Sequence, residues 1–312
     1  MESFLAKIKS VYVSMGLGQF NSTHLYFMVG TTLGVFLIEM LFTGWDKCAL
    51  KRVFQFEKTT RTDLTFWLLE TFNFYNIIAV TISFGICYYL VGVIQKNFAI
   101  NLMVKVENQL LAFALIYIIS DFKNYVRHYI FHRSNTLWQL HQLHHSATDL
   151  NILARQRGHF LEAEISRFFD VIPLILLGAP VYTYFAIKVV SEAHQMLVHS
   201  SLTSGWGFLG KYVIVSPAAH RIHHSIDEKH YNKNLGSTFI FWDRLFKTYH
   251  PDVPVYEIGI PENPYNRKGY VHDIFLSMYL FYKNLVIKIL PRKWSQKLFV
   301  KNLPKTTIFD EV

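Results

Sequence analysis

The sequence predicts an all-α integral membrane protein, a helical transmembrane bundle with a re-entrant hairpin. Three observations carry that expectation. Apolar residues make up 51% of the 312-residue chain and aromatics 16%, while charged residues reach only 17%, against about 25% in a typical globular chain. The apolar residues gather in four runs, at 25–42, 72–94, 110–119 and 171–190. Thirty-one Lys and Arg against 22 Asp and Glu leave a net charge of +9, which suits loops facing anionic lipid headgroups.

The same composition excludes several classes. There is ample apolar area to bury and little self-repelling charge, so the chain is not disordered. Two distant cysteines, Cys48 and Cys87, build neither a disulfide scaffold nor a thiolate metal site. No stripe of Lys and Arg interleaved with aromatics appears, so nucleic acid is not an expected partner.

Residues 1–16 carry Phe4, Leu5, Ile8, Val11, Tyr12 and Met15 at near-helical spacing, beside Lys7 and Lys9. They read as an amphipathic surface helix; without a continuous apolar core, nothing suggests a cleaved signal peptide. The first run, 25–42, is 18 residues with one charge, Glu39, close to the roughly 20 residues a spanning helix needs. The second, 72–94, is 23 residues without a charge. The third, 110–119, passes directly into Ser120, Asp121, Phe122 and Lys123, so its helix is expected to continue out of the lipid. Lys47, Lys51, Arg52, Lys58 and Arg61 crowd the loop between the first two runs, while Lys96 and Lys105 alone follow the second. The positive-inside rule then places residues 43–71 in the cytoplasm and 95–109 outside, with the chain back in the cytoplasm near Asp121.

The fourth run, 171–190, holds Lys188 and is broken by Pro173 and by Gly178, Ala179 and Pro180. A single crossing would strand the later histidines on the far side of the bilayer. Gly178 to Pro180 can reverse the chain, and Pro173 is expected to disrupt the helix before it. Two short helices, 162–177 and 181–199, would form the re-entrant hairpin, covered by the first two spans. Three regions follow: 1–109 with the surface helix and two spans, 110–250 with most of the histidines, and 251–312 as a loop and an amphipathic stretch at 274–290.

Eleven of the 15 histidines lie between 128 and 224. His128 and His132 stand four apart; His141, His144 and His145 stand at i, i+3 and i+4, and His220, His223 and His224 repeat that spacing. On a helix each triplet occupies one face within one turn and is expected to aim three imidazoles at one point. Clustered imidazoles would repel if charged and lose hydration if buried neutral without partners, and a metal ion resolves both. Neutral imidazole suits iron, zinc, copper and nickel. The set is too large for a four-ligand structural zinc, and no H-E-x-x-H is present as in a zinc peptidase. A histidine-rich, carboxylate-poor set at a membrane surface fits two irons that activate oxygen. The fold expectation is thereby completed by a cytoplasmic helical cap holding a dimetal site.

The residues from Asp121 to His132, the run Leu137, Trp138, Gln139, Leu140, His141, Gln142, Leu143, His144 and His145, and the later Ser216, Pro217, Ala218, Ala219, His220, Arg221, Ile222, His223 and His224 together resemble the fatty acid hydroxylase/sterol desaturase superfamily. Asn234, Leu235 and Gly236, then Phe241 to Tyr249, resemble its closing signature, with Lys247 where glycine is usual. The similarity covers about residues 110–250, which it marks as the catalytic domain. It implies a multi-pass membrane enzyme with a cytoplasmic-facing cluster of two irons, zinc being a substitute. Such an enzyme uses O2 and external electrons to hydroxylate or desaturate a lipid chain or sterol. The family's metal-binding histidines map onto His128, His132, His141, His144, His145, His220, His223 and His224, and a further pair comes from the segment of His194 and His199. Those two are five apart, about 140° around a helix, and share a face only through a kink; His199 is the safer ligand.

Asp121, Asp149, Asn151 and Asp243 are the candidates to hold the rings' second N–H groups. His159 has no partner at helical spacing, and His24, His230, His250 and His272 are isolated. No residue resembles a covalent nucleophile and no G-x-G-x-x-G suggests a bound nucleotide. Electrons are therefore expected from a partner such as a cytochrome b5-like protein, a ferredoxin or an NAD(P)H-dependent reductase. A basic cytoplasmic surface suits an acidic donor. The rivals are a histidine-rich metal transporter or sensor and a zinc-dependent lipid hydrolase. The first needs ionisable residues along a transmembrane path, and 72–94 has none.

Overall fold

Helix α1, Ser22–Thr43, realises the first apolar run. Its segment His24–Thr43 is, among the described residues, the one helix long and apolar enough to cross a membrane. Leu33, Leu37 and Leu41 form an exposed stripe along it, while Met28, Val35 and Phe36 pack inward. Glu39 does not face the apolar surroundings unpaired. Its carboxylate accepts from Ala49 N at 2.7 Å, Cys48 Sγ at 3.2 Å and Ser201 N at 2.5 Å. The single charge in the run thus ties the start of the next helix to the segment just after His199.

This computed structural model describes residues 22–55, 57–74, 93, 96–97, 106–178 and 181–290. The expected surface helix at 1–16 and nearly all of the second run, 72–94, lie outside them. The described residues hold no strand, only two isolated bridges, Ile214 to Phe239 and Ser225 to Ile258. The all-α expectation holds for them.

After α1 come α2, Ala49–Gln55, and α3, Lys58–Thr71. Helix α4, Gln109–Arg133, is continuous over 25 residues, capped by the Asn108 side chain accepting from Leu111 N. At 1.5 Å per residue it runs about 38 Å, so the apolar run at its start delivers His128 and His132 at its far end. Ser134 ends α4 and caps α5, Asn135–His145, by accepting from Leu137 N. Asn151 caps a short 3₁₀ turn, Ile152–Gln156, by accepting from Leu153 N and Ala154 N.

Helices α6, Phe160–Leu177, and α7, Val181–Val198, replace the fourth run. Gly178 between them has φ +69°, a left-handed conformation that favours glycine. Pro173 does not interrupt α6, contrary to expectation. Proline removes one hydrogen bond, and the helix continues for another turn to Leu177. The beginning of α6 and the end of α7 both return to the histidines. Helix α7 packs on α1 and on the 152–156 turn, with Met196 in the core beside Met28, Phe36 and Leu153.

Short helices α8, Gly207–Tyr212, α9, Pro217–His223, and α10, Phe241–Leu245, complete the cap. Pro217 at the first position and the Ser216 hydroxyl accepting from Ala219 N start α9 as helix-entry chemistry requires. Helix α11, Tyr270–Ile289, lies against α5, where Ser277 Oγ donates to Gln139 O at 2.7 Å. Tyr265 shares a core with Leu143, Phe66 and Phe160, so the segment after 250 is packed onto the histidine helices.

Candidate metal centre

Helix periodicity sets how the imidazoles sort. His128 and His132 on α4, His141 and His145 on α5, and His223 on α9 form one group; His144, His199, His220 and His224 form another. Within each group the donor atoms lie within 4.8 Å of one another. Residues four apart stay together, whereas the middle, i+3 members of the triplets, His144 and His223, cross to the neighbouring group, so neither triplet converges on a single point as its spacing suggests. The groups touch: the rings of His145 and His224 stack at 4.3 Å.

Five rings are oriented from behind. His128 Nδ1 donates to Leu235 O at 2.7 Å, His144 Nδ1 to Arg157 O at 3.1 Å, and His199 Nδ1 to Gln195 O at 2.7 Å. His223 Nδ1 donates to Lys233 O at 3.0 Å and His141 Nδ1 to Glu162 Oε1 at 2.7 Å. Carbonyl and carboxylate oxygens only accept, so each Nδ1 holds the proton and each neutral Nε2 keeps a bare lone pair. Those lone pairs point at each other: His128 and His141 Nε2 are 3.1 Å apart, and His144 and His199 Nε2 are 3.2 Å apart. Two lone pairs cannot bond to one another. His145 Nε2 and His223 Nε2 are buried without any hydrogen-bond partner.

Protonation does not resolve the conflict. Burial first, then neighbouring imidazoles, hold His128, His132, His144, His145, His220 and His224 well below the ordinary imidazole range. Burial brings His199 and His223 to about 3. Neutral nitrogen donors converging on two points fit metal cations. The donor set matches two adjacent ions, one offered five imidazoles and the other four.

His194 is not brought to either group. Helix α7 is continuous through it, and its Nε2 donates to Val215 O at 3.0 Å. His159 accepts from Leu161 N through Nδ1 and meets Ile274 O through Nε2 at 3.2 Å, so it caps α6 and locks α11. His24 Nε2 meets Glu70 O, and His230 and His250 pack ring to ring at 4.8 Å.

The four residues expected behind the rings are corrected: none of them bonds a histidine. Asp121 accepts from Thr238 N, Phe239 N and Trp242 Nε1 at 2.8, 3.1 and 3.1 Å. Asp243 accepts from Leu235 N, Gly236 N and Thr248 Oγ1 at 2.6, 2.8 and 2.7 Å, and burial raises its carboxyl to about 6. Both organise the 234–248 loop, and Asp243 acts on His128 through the Leu235 peptide. Asp149 pairs with Arg52, and Asn151 donates to Asp63 Oδ2 at 2.8 Å.

The residues that do this work were not among the candidates. Glu162 orients His141. Burial alone would raise its carboxyl, but its contacts, first the hydrogen-bonded His141 ring, outweigh that and hold it below the ordinary carboxylate range. A carboxylate entering an apolar helix was the available signal. Arg157, fully buried, fixes the peptide whose carbonyl orients His144. It donates to Asp63 Oδ1 at 2.6 Å, Ser146 Oγ at 3.1 Å, Asn266 Oδ1 at 2.9 Å and Thr59 O at 3.0 Å.

Residues 113–248 match the fatty acid hydroxylase family. The alkylglycerol monooxygenase of Caenorhabditis elegans is 30% identical over 172 residues, covering 54% of this chain and 32% of that protein. An ornithine lipid hydroxylase of Rhizobium tropici is 32% identical over 165 residues, 49% of this chain and 50% of that protein. Human cholesterol 25-hydroxylase is 26% identical over 129 residues, 41% and 47% of the two chains. The chain thus spans a third to a half of the length of these relatives, and no solved structure matches. The matched segment contains all nine converging histidines, and over that segment this chain is similar to the fatty acid hydroxylase family.

Proposed function

We propose that the protein is a membrane-bound, O2-dependent lipid hydroxylase or desaturase with two irons in the histidine cluster. The observation that carries this is the opposed, deprotonated Nε2 pairs, His128 with His141 and His144 with His199. His128, His132, His141, His145 and His223 would hold one ion, and His144, His199, His220 and His224 the other. When bound, the irons supply the redox chemistry by which O2 is reduced and a C–H bond oxidised. For hydroxylation, one oxygen atom enters the substrate and the other leaves as water, with two electrons and two protons from outside.

The chain's own residues fix the donors. Glu162 and the carbonyls of Leu235, Arg157, Gln195 and Lys233 hold five rings in the tautomer that turns Nε2 inward, so little reorganisation accompanies binding. Helices α6 and α7 dip into the bilayer and return, placing all nine histidines on the cytoplasmic face. Residues 110–250 are the catalytic unit, and a cytochrome b5-like protein, ferredoxin or NAD(P)H-dependent reductase delivers electrons. The relatives' names support a lipid substrate.

The test is metal analysis of the purified full chain with product formation measured with and without O2. Two ions per chain and strictly O2-dependent oxidation of lipid are expected. One ion, or product formed anaerobically, would overturn the oxygenase in favour of a hydrolase.

A further inference from the structure

A cavity of about 350 Å³ opens onto the metal-facing imidazoles, between α4, α6 and α7. Its wall is polar. Ser120, Asn124 and Arg127 line it from one face of α4, and Ser191, Glu192 and Gln195 from one face of α7, with Ser166 on α6. Ala163 and Ile187 supply its only apolar side chains among the described residues. Several of the polar groups are held in place: Arg127 Nη1 donates to Ser166 Oγ at 2.5 Å, and Arg155 Nη2 donates to Glu192 Oε2 at 3.0 Å.

The cavity also has a direction. On α4 it begins at His128 and ends at Ser120, where the apolar run 110–119 stops; eight residues of helix are about 12 Å. On the other side it extends from His199, just past the end of α7, back to Ile187. A polar vestibule therefore separates the imidazoles from the apolar half of α4. Hydrocarbon placed there would strip water from guanidinium, carboxylate, amide and hydroxyl groups without replacing their hydrogen bonds, which costs several kcal/mol per group. A ligand carrying its own donors and acceptors replaces them. The volume is at the low end of small-molecule pockets, roughly 300–1,000 Å³, so it holds a head group and the first chain carbons while the remaining chain lies outside.

We propose that the substrate enters this cavity head first, so that the carbon oxidised lies within a few bonds of a hydrogen-bonding head group. This rests on the oxygenase reading and selects, within it, head-proximal oxidation over attack on a distant methylene or an apolar sterol tail. The wall carries both cationic and anionic groups, so the fitting head group bears donors and acceptors together.

The experiment is photo-crosslinking of the full chain in lipid nanodiscs with two C16 monoalkyl glycerol probes. One carries a diazirine on the chain carbon next to the head group, the other on the terminal carbon. Peptides covering 120–128 and 187–199 are expected to be labelled at least tenfold more by the first probe. Equal labelling, preferential labelling by the terminal probe, or no labelling of these peptides by either overturns the proposal. O2-dependent product is measured in parallel on unmodified 1-O-hexadecylglycerol. Expected labelling without product would sink the oxygenase and leave the head-first orientation standing, whereas product without that labelling would do the reverse.

Discussion

His141 Nδ1 and Glu162 Oε1 meet at 2.7 Å, among the described residues the one place where a carboxylate, rather than a main-chain carbonyl, orients a converging imidazole. The pair links α5 to the start of α6. Outer partners of metal-ligating histidines affect metal affinity about 10–100-fold. Glu162→Ala is expected to lose metal preferentially from the five-histidine group, leaving close to one tightly held ion per chain. Glu162→Gln retains a carbonyl oxygen that can accept from Nδ1, and should fall between Ala and the parent. Metal titration with a competing chelator measures both; equal retention in all three proteins would deny Glu162 that role.

Arg157 and Asp63 form a buried ion pair with neither side chain exposed. Removing one partner leaves the other charge buried, at about 3–5 kcal/mol. Arg157→Met should therefore unfold at clearly lower temperature in detergent. Arg157→Met combined with Asp63→Leu should recover part of the loss, because no uncompensated carboxylate remains. The unfolding midpoint by intrinsic fluorescence distinguishes this from a surface pair, for which both variants would stay within about 1 kcal/mol of the parent.

The histidine spacing made much of this centre legible before any coordinates. Positions i and i+4 share a helix face, so His128 with His132, His141 with His145, and His220 with His224 fall together. The split of each triplet was not legible: the i+3 members, His144 and His223, lie 60° from the first residue of their triplets and 100° from the last, and the structure sends them to the neighbouring group. The turn at Gly178 was legible too, because glycine and proline punctuate the apolar run. The oxygens behind the rings were not. Main-chain carbonyls of Leu235, Arg157, Gln195 and Lys233 do most of that work, and any residue type can supply one. Asp121 and Asp243 were candidates as carboxylates, yet loop amide groups around 235–239 claim their oxygens. Helix propensity likewise misjudged Pro173, since one lost hydrogen bond near the end of α6 is tolerated.

Stability of the metal-free protein should depend on pH with a definite sign. Burial takes the folded-state values of His199 and His223 to about 3, against about 6.5 in an unfolded chain. Between those values the unfolded state binds more protons, so stability rises with pH and is lost as pH falls below about 6.5. Apo protein should show a falling unfolding midpoint from pH 7 to pH 4, and metal-loaded protein should release its ions over the same acidic range. A flat apo profile would mean that these rings are not buried neutral.

His194 and His199 provide an internal control for ligand assignment. His199→Ala is expected to lower metal content and abolish activity, as are His144→Ala and His224→Ala. His194→Ala should keep two ions, because its nitrogen serves Val215 O; leaving that buried carbonyl unpaired costs about 1–3 kcal/mol of stability. His250→Ala and His272→Ala should retain both metal and activity. Loss of metal from His194→Ala in a protein that is still folded would place it among the ligands.

His144 and His199 are 55 residues apart in sequence, yet their Nε2 atoms stand 3.2 Å apart. Between them lie α6 and α7, each 18 residues long, or about 27 Å, close to the thickness of the hydrocarbon core. One crossing of the bilayer by this segment would separate the two histidines by a membrane, which their contact forbids. Two full crossings or a shallow re-entry both return the chain to the starting face, and the turn at Gly178 permits either. The consequence for topology is the same: Thr148, just past α5, and Thr203, just past His199, must share a side. Both are exposed. Thr148→Cys and Thr203→Cys, in a background without Cys48 and Cys87, should label with a membrane-impermeant maleimide only after the cytoplasmic face is opened. Labelling of the two from opposite faces would break both the hairpin and the shared metal centre.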